Sequence, residues 1–235
     1  MQRASYGRMP HTPPGKLSSE AIYIIAPRQE HCQHWHMSEQ AKHREHLVGL
    51  LGRYINARDE APLREYLLQQ SGLPGPRANL ELAAAFAEVV AHCASQDPRD
   101  LWALCLRWAT IPPTERATDD PREFLPFCAP QALGVLGSAN PALHAEALAR
   151  LQELADDPRW RTREAVAMAI QRLIAGQPQK TLVALDGWIA PGHWLAMRAV
   201  AAGVAEPALL RRKKDILWIL KENLRAASQR ITLPK

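Results

Sequence analysis

β-Branched residues are scarce in this chain of 235 residues, which contains 8 Val and 11 Ile against 38 Ala and 30 Leu. Ala and Leu lose little conformational entropy in a helix, whereas β-branched side chains favour strands, so the composition argues against a sheet-rich fold. Apolar residues make up 47% and charged residues 23% of the chain, the balance of a globular protein. We therefore predict an all-α fold with a sizeable core.

Long apolar runs and paired cysteines are also missing. The sequence contains no stretch of about 18 apolar residues, and the apolar stretch at 21–26 is too short for the core of a signal peptide. The four cysteines form no Cys-x-x-Cys pair, and Cys93, Cys105 and Cys128 lie in Ala- and Leu-rich segments where a thiol behaves as a small hydrophobe. We predict a cytoplasmic protein without a membrane partner.

Motifs for catalysis or cofactor binding are absent as well. The chain has no nucleophilic-serine motif, no paired-carboxylate motif and no dinucleotide fingerprint. Residues 71–81 place two glycines near Arg77, but they lack the Gly-Lys-Ser/Thr of a phosphate loop, so we interpret them as a turn before a helix capped by Asn79, with an anion contact at Arg77 as the alternative. The sequence predicts no cofactor and favours a non-enzymatic protein, leaving enzyme activity open.

Histidines are concentrated between positions 31 and 46, where Cys32 and five histidines occur within sixteen residues. His43 and His46 would share one face of a helix. No second Cys-x-x-Cys or His-x-x-x-His completes a structural zinc site, so we interpret the cluster as accidental composition and predict no metal.

The first 36 residues differ in character from the rest of the chain. They are rich in proline, as at Pro10, Pro13 and Pro14, and show no helical or strand period. The helical pattern begins after Met37. We predict that residues 1–36 are a disordered extension or a misassigned start, and that residues 37–235 form a single helical-repeat domain.

Helix starts are marked by Asp or Asn followed by Pro, a combination that caps the free amides of a first turn and places proline where its missing N–H has no partner. It occurs at Asp97, Asp120, Asn140 and Asp157. Pro126 and Pro130 favour a break in the helix that follows Asp120. The predicted helices after the first are 62–70, 80–94, 98–109, 121–137, 141–155, 158–175, 178–189, 193–205 and 207–228.

An internal repeat relates residues 160–167, Trp-Arg-Thr-Arg-Glu-Ala-Val-Ala, to residues 194–201, Trp-Leu-Ala-Met-Arg-Ala-Val-Ala. A period of about 34 residues with two helices per unit indicates a helical solenoid. Asp157-Pro158, Thr162-Arg163 and the aliphatic residues after them resemble the second helix of a HEAT repeat. The resemblance implies a right-handed α-solenoid of antiparallel helix hairpins, in which Asp157 and Arg163 bond between neighbouring units.

Tryptophans and arginines accumulate in the same two units. The sequence around Trp160, Arg163 and Glu164 is similar to that of HEAT-like alkylpurine DNA glycosylases. This resemblance implies that Trp160 and Trp194 face a damaged base and that Asp186 acts as the catalytic acid. The other interpretation of each indole is core packing between repeats. The candidate binding residues are Trp160, Arg161, Arg163, Trp188, Trp194, Arg198, Arg211, Arg212, Lys213 and Lys214.

Three functions are considered. The first is a non-catalytic HEAT-like scaffold that binds a protein partner through its concave surface, and the second is a DNA-binding protein or alkylpurine DNA glycosylase of the HEAT-like type. The third is a small enzyme that uses a metal or a nucleotide. Residues 37–204 carry 17 basic and 19 acidic groups, whereas residues 205–235 carry 8 and 3. Any affinity for nucleic acid should therefore come mainly from the C-terminal end of the chain, and we favour the protein partner. The residues that would supply it are Arg211, Arg212, Lys213, Lys214 and Lys221.

Deleting residues 1–36 should leave the thermal midpoint unchanged, because the helical periodicity begins after them. Differential scanning calorimetry of the full chain and of residues 37–235 measures this. A midpoint lower by more than about 5 °C, roughly 2 kcal/mol for a domain of this size, would show instead that the segment packs against the domain.

Overall fold

The computed structural model describes residues 38–94, 98–113, 120–189 and 193–210, with four isolated positions beyond them. These ranges contain helices and no strand, which confirms the all-α class. None of the helices in the described ranges is long and apolar enough to cross a membrane. Residues 1–36 lie outside the described part, so the predicted domain boundary remains a prediction. The helices are α1 Glu39–Ala57, α2 Ala61–Gln69, α3 Leu80–Cys93, α4 Pro98–Ala109, α5 Phe124–Ala139, α6 His144–Leu154, α7 Trp160–Gly176, α8 Pro178–Asp186, α9 Trp194–Val204 and α10 Pro207–Leu210, with a 3₁₀ turn Pro121–Glu123 before α5.

The Asp-Pro and Asn-Pro pairs lie just before helical segments, as predicted. The side chains of Asp120, Asn140 and Asp157 each accept a hydrogen bond from the backbone N–H two residues later, at 2.8–2.9 Å. This bond satisfies an amide that would otherwise have no partner at the start of a helix. Asp97 lies outside the described residues.

Helix α5 runs without the predicted break at its prolines. Pro126 lies in the first turn, where no intrahelical hydrogen bond is lost. Pro130 does lie inside the helix, but every residue from Phe124 to Gly137 is buried. Packing against α3, α4, α6 and α7 therefore holds α5 together and outweighs the one missing bond.

The odd-numbered helices α1, α3, α5, α7 and α9 contact one another in chain order. Helices α5 and α7 approach at backbone distance, where a Cβ built on Gly134 would lie 2.8 Å from the Cα of Ala169. A Cβ built on Gly203 of α9 would lie 2.6 Å from the side chain of Ile170 of α7. Small residues thus allow these helices to pack with their backbones close together.

The even-numbered helices α2, α4, α6 and α8 are joined in chain order by polar side chains. The three pairs are Trp108 Nε1 donating to Glu60 Oε1 at 2.7 Å, Trp102 Nε1 donating to Glu146 Oε1 at 3.0 Å, and Thr181 Oγ1 at 3.4 Å from His144 Nε2. The first two satisfy the N–H of a buried indole, which is costly to leave without an acceptor.

Cys93, Cys105 and Cys128 are free thiols buried in the core, as predicted. Burial raises the pKa of Cys105 to about 12 and that of Cys128 well above its ordinary value. These two thiols therefore remain protonated at neutral pH and act as small apolar side chains. Cys32 lies outside the described residues.

Replacing Gly134 with Ala should destabilise the fold by about 1–3 kcal/mol, because the added methyl group overlaps the backbone of α7. Gly49→Ala is the matched control, since a Cβ at that position in α1 meets nothing within 4 Å. The control should gain about 0.5–1 kcal/mol from the helix propensity of alanine. Urea unfolding of both variants tests the close approach, and equal stabilisation by the two substitutions would refute it.

Candidate functional site

A groove of about 320 Å³ lies between the loop that precedes α3 and the first half of α7. Its walls are mostly apolar, and charged side chains stand among them. The lining residues are Pro76, Arg77, Ala78, Leu80, Phe127, Trp160, Arg161, Glu164 and Met168.

Two large apolar side chains of this groove are exposed. Trp160 is 46% exposed and Leu80 is 53% exposed. In the described part of the chain only five large apolar side chains are exposed, so the groove contains two of them. Scattered single apolar residues are normal on a protein surface, whereas a rimmed apolar depression with an exposed indole is typical of a binding site.

The loop wall of the groove is fixed by Asn79, as the predicted cap. Its side chain accepts a hydrogen bond from Leu82 N at 2.9 Å and donates one to Gln70 O at 3.0 Å, while its backbone N–H bonds to Ser71 O at 2.8 Å. Gly72 adopts a φ of +73°, which residues with a Cβ rarely adopt. The turn is therefore closed at its base and holds Arg77 at the rim.

Arg161 joins the two walls of the groove. Its guanidinium lies 4.6 Å from the centroid of the Trp160 ring, and its Nη2 donates to Gly75 O in the loop at 3.3 Å. Only 6% of Arg161 is exposed. The residue predicted as a binding cation therefore also serves to position Trp160 and the loop.

Glu164 is the carboxylate of the groove, and it forms an ion pair with Arg198 of α9. Asp186, which the resemblance to the glycosylases implied as the acid, ends α8, is exposed and does not line the groove. Glu164 directly follows Arg163 in the sequence segment that resembles the glycosylases. Its position one turn after Trp160 is the sequence signal that places it on the same helix face.

The other predicted binding residues lie elsewhere. Trp188 is only 4% exposed, so its indole packs in the core instead of forming part of an exposed binding surface. Trp194 begins α9 and is partly buried. Arg211, Arg212, Lys213 and Lys214 lie outside the described residues.

The bonds between neighbouring units that the resemblance implied for Asp157 and Arg163 are not formed, because the carboxylate of Asp157 and the guanidinium of Arg163 each bond within residues 157–163. The carboxylate accepts two hydrogen bonds from Arg159, at 2.8 and 2.6 Å. Arg163 instead donates to the backbone carbonyls of Asp157 at 2.7 Å and of Pro158 at 2.9 Å. The reason is local, because Arg159 lies at the start of α7 with its side chain directed inward, whereas Arg163 follows one turn later and caps exposed carbonyls.

Arg159 forms the centre of a buried charged cluster. Besides Asp157, it reaches Glu123 Oε2 at 3.3 Å and the carbonyl of Ile111 at 2.9 Å, and all three charged side chains are at least nine-tenths buried. The recurrence of Asp-Pro-Arg at 120–122 and 157–159 was the sequence signal that could have predicted the pairing of Asp157 with Arg159. Asp120 also pairs with Arg122 two residues later, at 2.5 Å.

The groove combines an apolar surface with one carboxylate. Its walls offer apolar surface, and its carboxylate is already held by an arginine. No family model, curated protein or solved structure matches this chain.

Arg159→Met should cost about 3–5 kcal/mol of stability, since it leaves Asp157 and Glu123 as buried charges without their cation. Arg163→Met is the matched control and should cost only about 1 kcal/mol, because it removes bonds to partly solvated carbonyls. Chemical denaturation of the two variants provides the comparison. A larger loss at position 163 than at 159 would restore the predicted role of Arg163.

Proposed function

We propose that this protein is a non-catalytic binding module of HEAT-like helical repeats that holds a segment of a partner protein in the groove beside Trp160. Two observations support the stacked-repeat arrangement. The odd-numbered helices contact one another in chain order, and polar side chains join the even-numbered ones in the same order. Contacts between successive units are typical of a solenoid built from helix hairpins, and here α2 additionally contacts α5 of the third hairpin.

The exposed indole of Trp160 carries the proposal for the groove. An indole offers up to about 250 Å² of surface, so covering the 46% that is exposed would contribute about 3 kcal/mol. Tryptophans that insert between two proteins are among the residues that most often dominate binding energy. The apolar walls formed by Leu80, Phe127 and Met168 complete a pocket for a bulky side chain of the partner.

The charges around the groove favour a protein segment over nucleic acid. Arg198 is paired with Glu164, and Arg161 is 6% exposed and bonded to the loop. Residues 37–204 carry more acidic than basic groups, 19 against 17. Binding to nucleic acid depends on several cations that meet phosphates together, and this groove presents Arg77 alone as an exposed cation among its lining residues.

A phage-displayed library of random 12-residue peptides, panned on the full chain, tests the proposal. Fluorescein-labelled copies of the selected peptides should bind, and Trp160→Ala should raise their Kd roughly tenfold to a hundredfold. Val183→Ala is the matched control, because Val183 is 75% exposed on α8 and lies outside the groove. Fluorescence anisotropy measures both Kd values.

Two outcomes would contradict the proposal. Selected peptides that bind the Trp160→Ala variant as tightly as the parent would show that the groove is not the anchor. Failure of the library to yield peptides, together with Trp160-dependent binding of a labelled duplex containing an abasic site, would replace it with the alkylation-repair function.

A further inference from the structure

Arg172 lies on α7 twelve residues after Trp160, and Met168 of the groove lies between them. It donates a hydrogen bond to Gln131 of α5, which follows the groove residue Phe127 by one turn. On α7, Trp160 is exposed and Glu164, Met168 and Arg172 are each partly exposed at four-residue spacing, so the exposed side of this helix leads from the groove to Arg172, with the buried helix α5 beneath it.

Helices α5 and α7 run in the same direction, since Gly134 and Gly137 of α5 meet Ala169 and Leu173 of α7 in that order. Leu80, Phe127 and Trp160 line the groove toward the beginning of their helices, whereas Gln131, which accepts the bond from Arg172, and Glu88, whose charge attracts it, lie further along theirs. At 1.5 Å per residue, Trp160 and Arg172 are about 18 Å apart along α7. An extended peptide covers that distance with five or six residues, at about 3.3 Å each.

Arg172 is bonded weakly for a side chain with five N–H donors. Within the described residues, its hydrogen bond is the one to Gln131 Oε1, at 3.4 Å. The carboxylate that attracts it, Glu88, already accepts bonds from Gln40 at 2.9 Å and Arg44 at 3.3 Å. Burial lowers the pKa of Arg172, which reflects a cation that has lost part of its hydration.

We propose that Arg172 binds a carboxylate of the partner segment, placed five or six residues from the bulky apolar side chain that occupies the groove beside Trp160. This inference rests on the proposed function. A guanidinium binds a carboxylate through two parallel hydrogen bonds, so the acidic side chain would satisfy donors that Gln131 leaves available. The partner segment is thus an extended peptide with a hydrophobic anchor and an acidic residue at a defined distance.

The peptides selected on the full chain should share a bulky apolar residue and an Asp or Glu five or six positions away. For one such peptide, changing its acidic residue to Gln or Asn should raise the Kd roughly tenfold, and Arg172→Gln should do the same. The two changes together should cost no more than either alone, because they remove the same contact. Arg44→Gln is the control, since Arg44 bonds Glu88 from α1, and it should change the Kd less than twofold.

The outcomes separate this inference from the function on which it rests. Peptides that depend on Trp160 but show no fixed acidic residue, or whose acidic residue and Arg172 contribute additively, would overturn the inference and leave the function standing. Binding that is indifferent to Trp160 would overturn both. The substitution in the peptide tests the contact without altering the protein. This test therefore remains valid even where Arg172→Gln impairs folding.

Discussion

The close approach of α5 and α7 at Gly134 and Ala169 is the constraint on which the rest of the structure depends. Helix α5 is buried along almost its whole length, so it can exist only where other helices cover it on every side. Five helices contact it, and α7 does so at backbone distance. Because Phe127 and Trp160 lie on these two helices, the packing of the core also sets the shape of the groove.

The start of α7 shows how three consecutive residues connect the core to the surface. Arg159 points inward and neutralises Asp157 and Glu123, which ties α7 to the turn before α5. Trp160 points outward into the groove, and Arg161 lies over its ring and bonds to the loop that precedes α3. A buried cation, an exposed indole and a bridging cation thus fix the position of the candidate binding surface.

Much of the fold could be predicted from the sequence because its signals are local. The Asp-Pro and Asn-Pro pairs mark where helical segments begin, and the thiols within Ala- and Leu-rich segments are buried. Bonds between neighbouring units were expected for Asp157 and Arg163, and Arg159 was missed as the partner of Asp157 because that pairing depends on which side chain faces the turn before α5. The continuity of α5 through Pro130 and the meeting of Leu80, Phe127 and Trp160 are set by contacts between residues far apart in the chain, which no local pattern encodes.

Nuclear magnetic resonance of the nitrogen-15-labelled full chain, titrated with a peptide selected on it, tests the central claim most directly. The claim is that the groove between the loop and α7 is the binding surface. The indole N–H signal of Trp160 and the backbone amides of Arg77, Ala78 and Met168 should shift on binding, while the buried indole of Trp188 should not. Shifts confined to α2, α4, α6 and α8, with the signal of Trp160 unchanged, would contradict the claim.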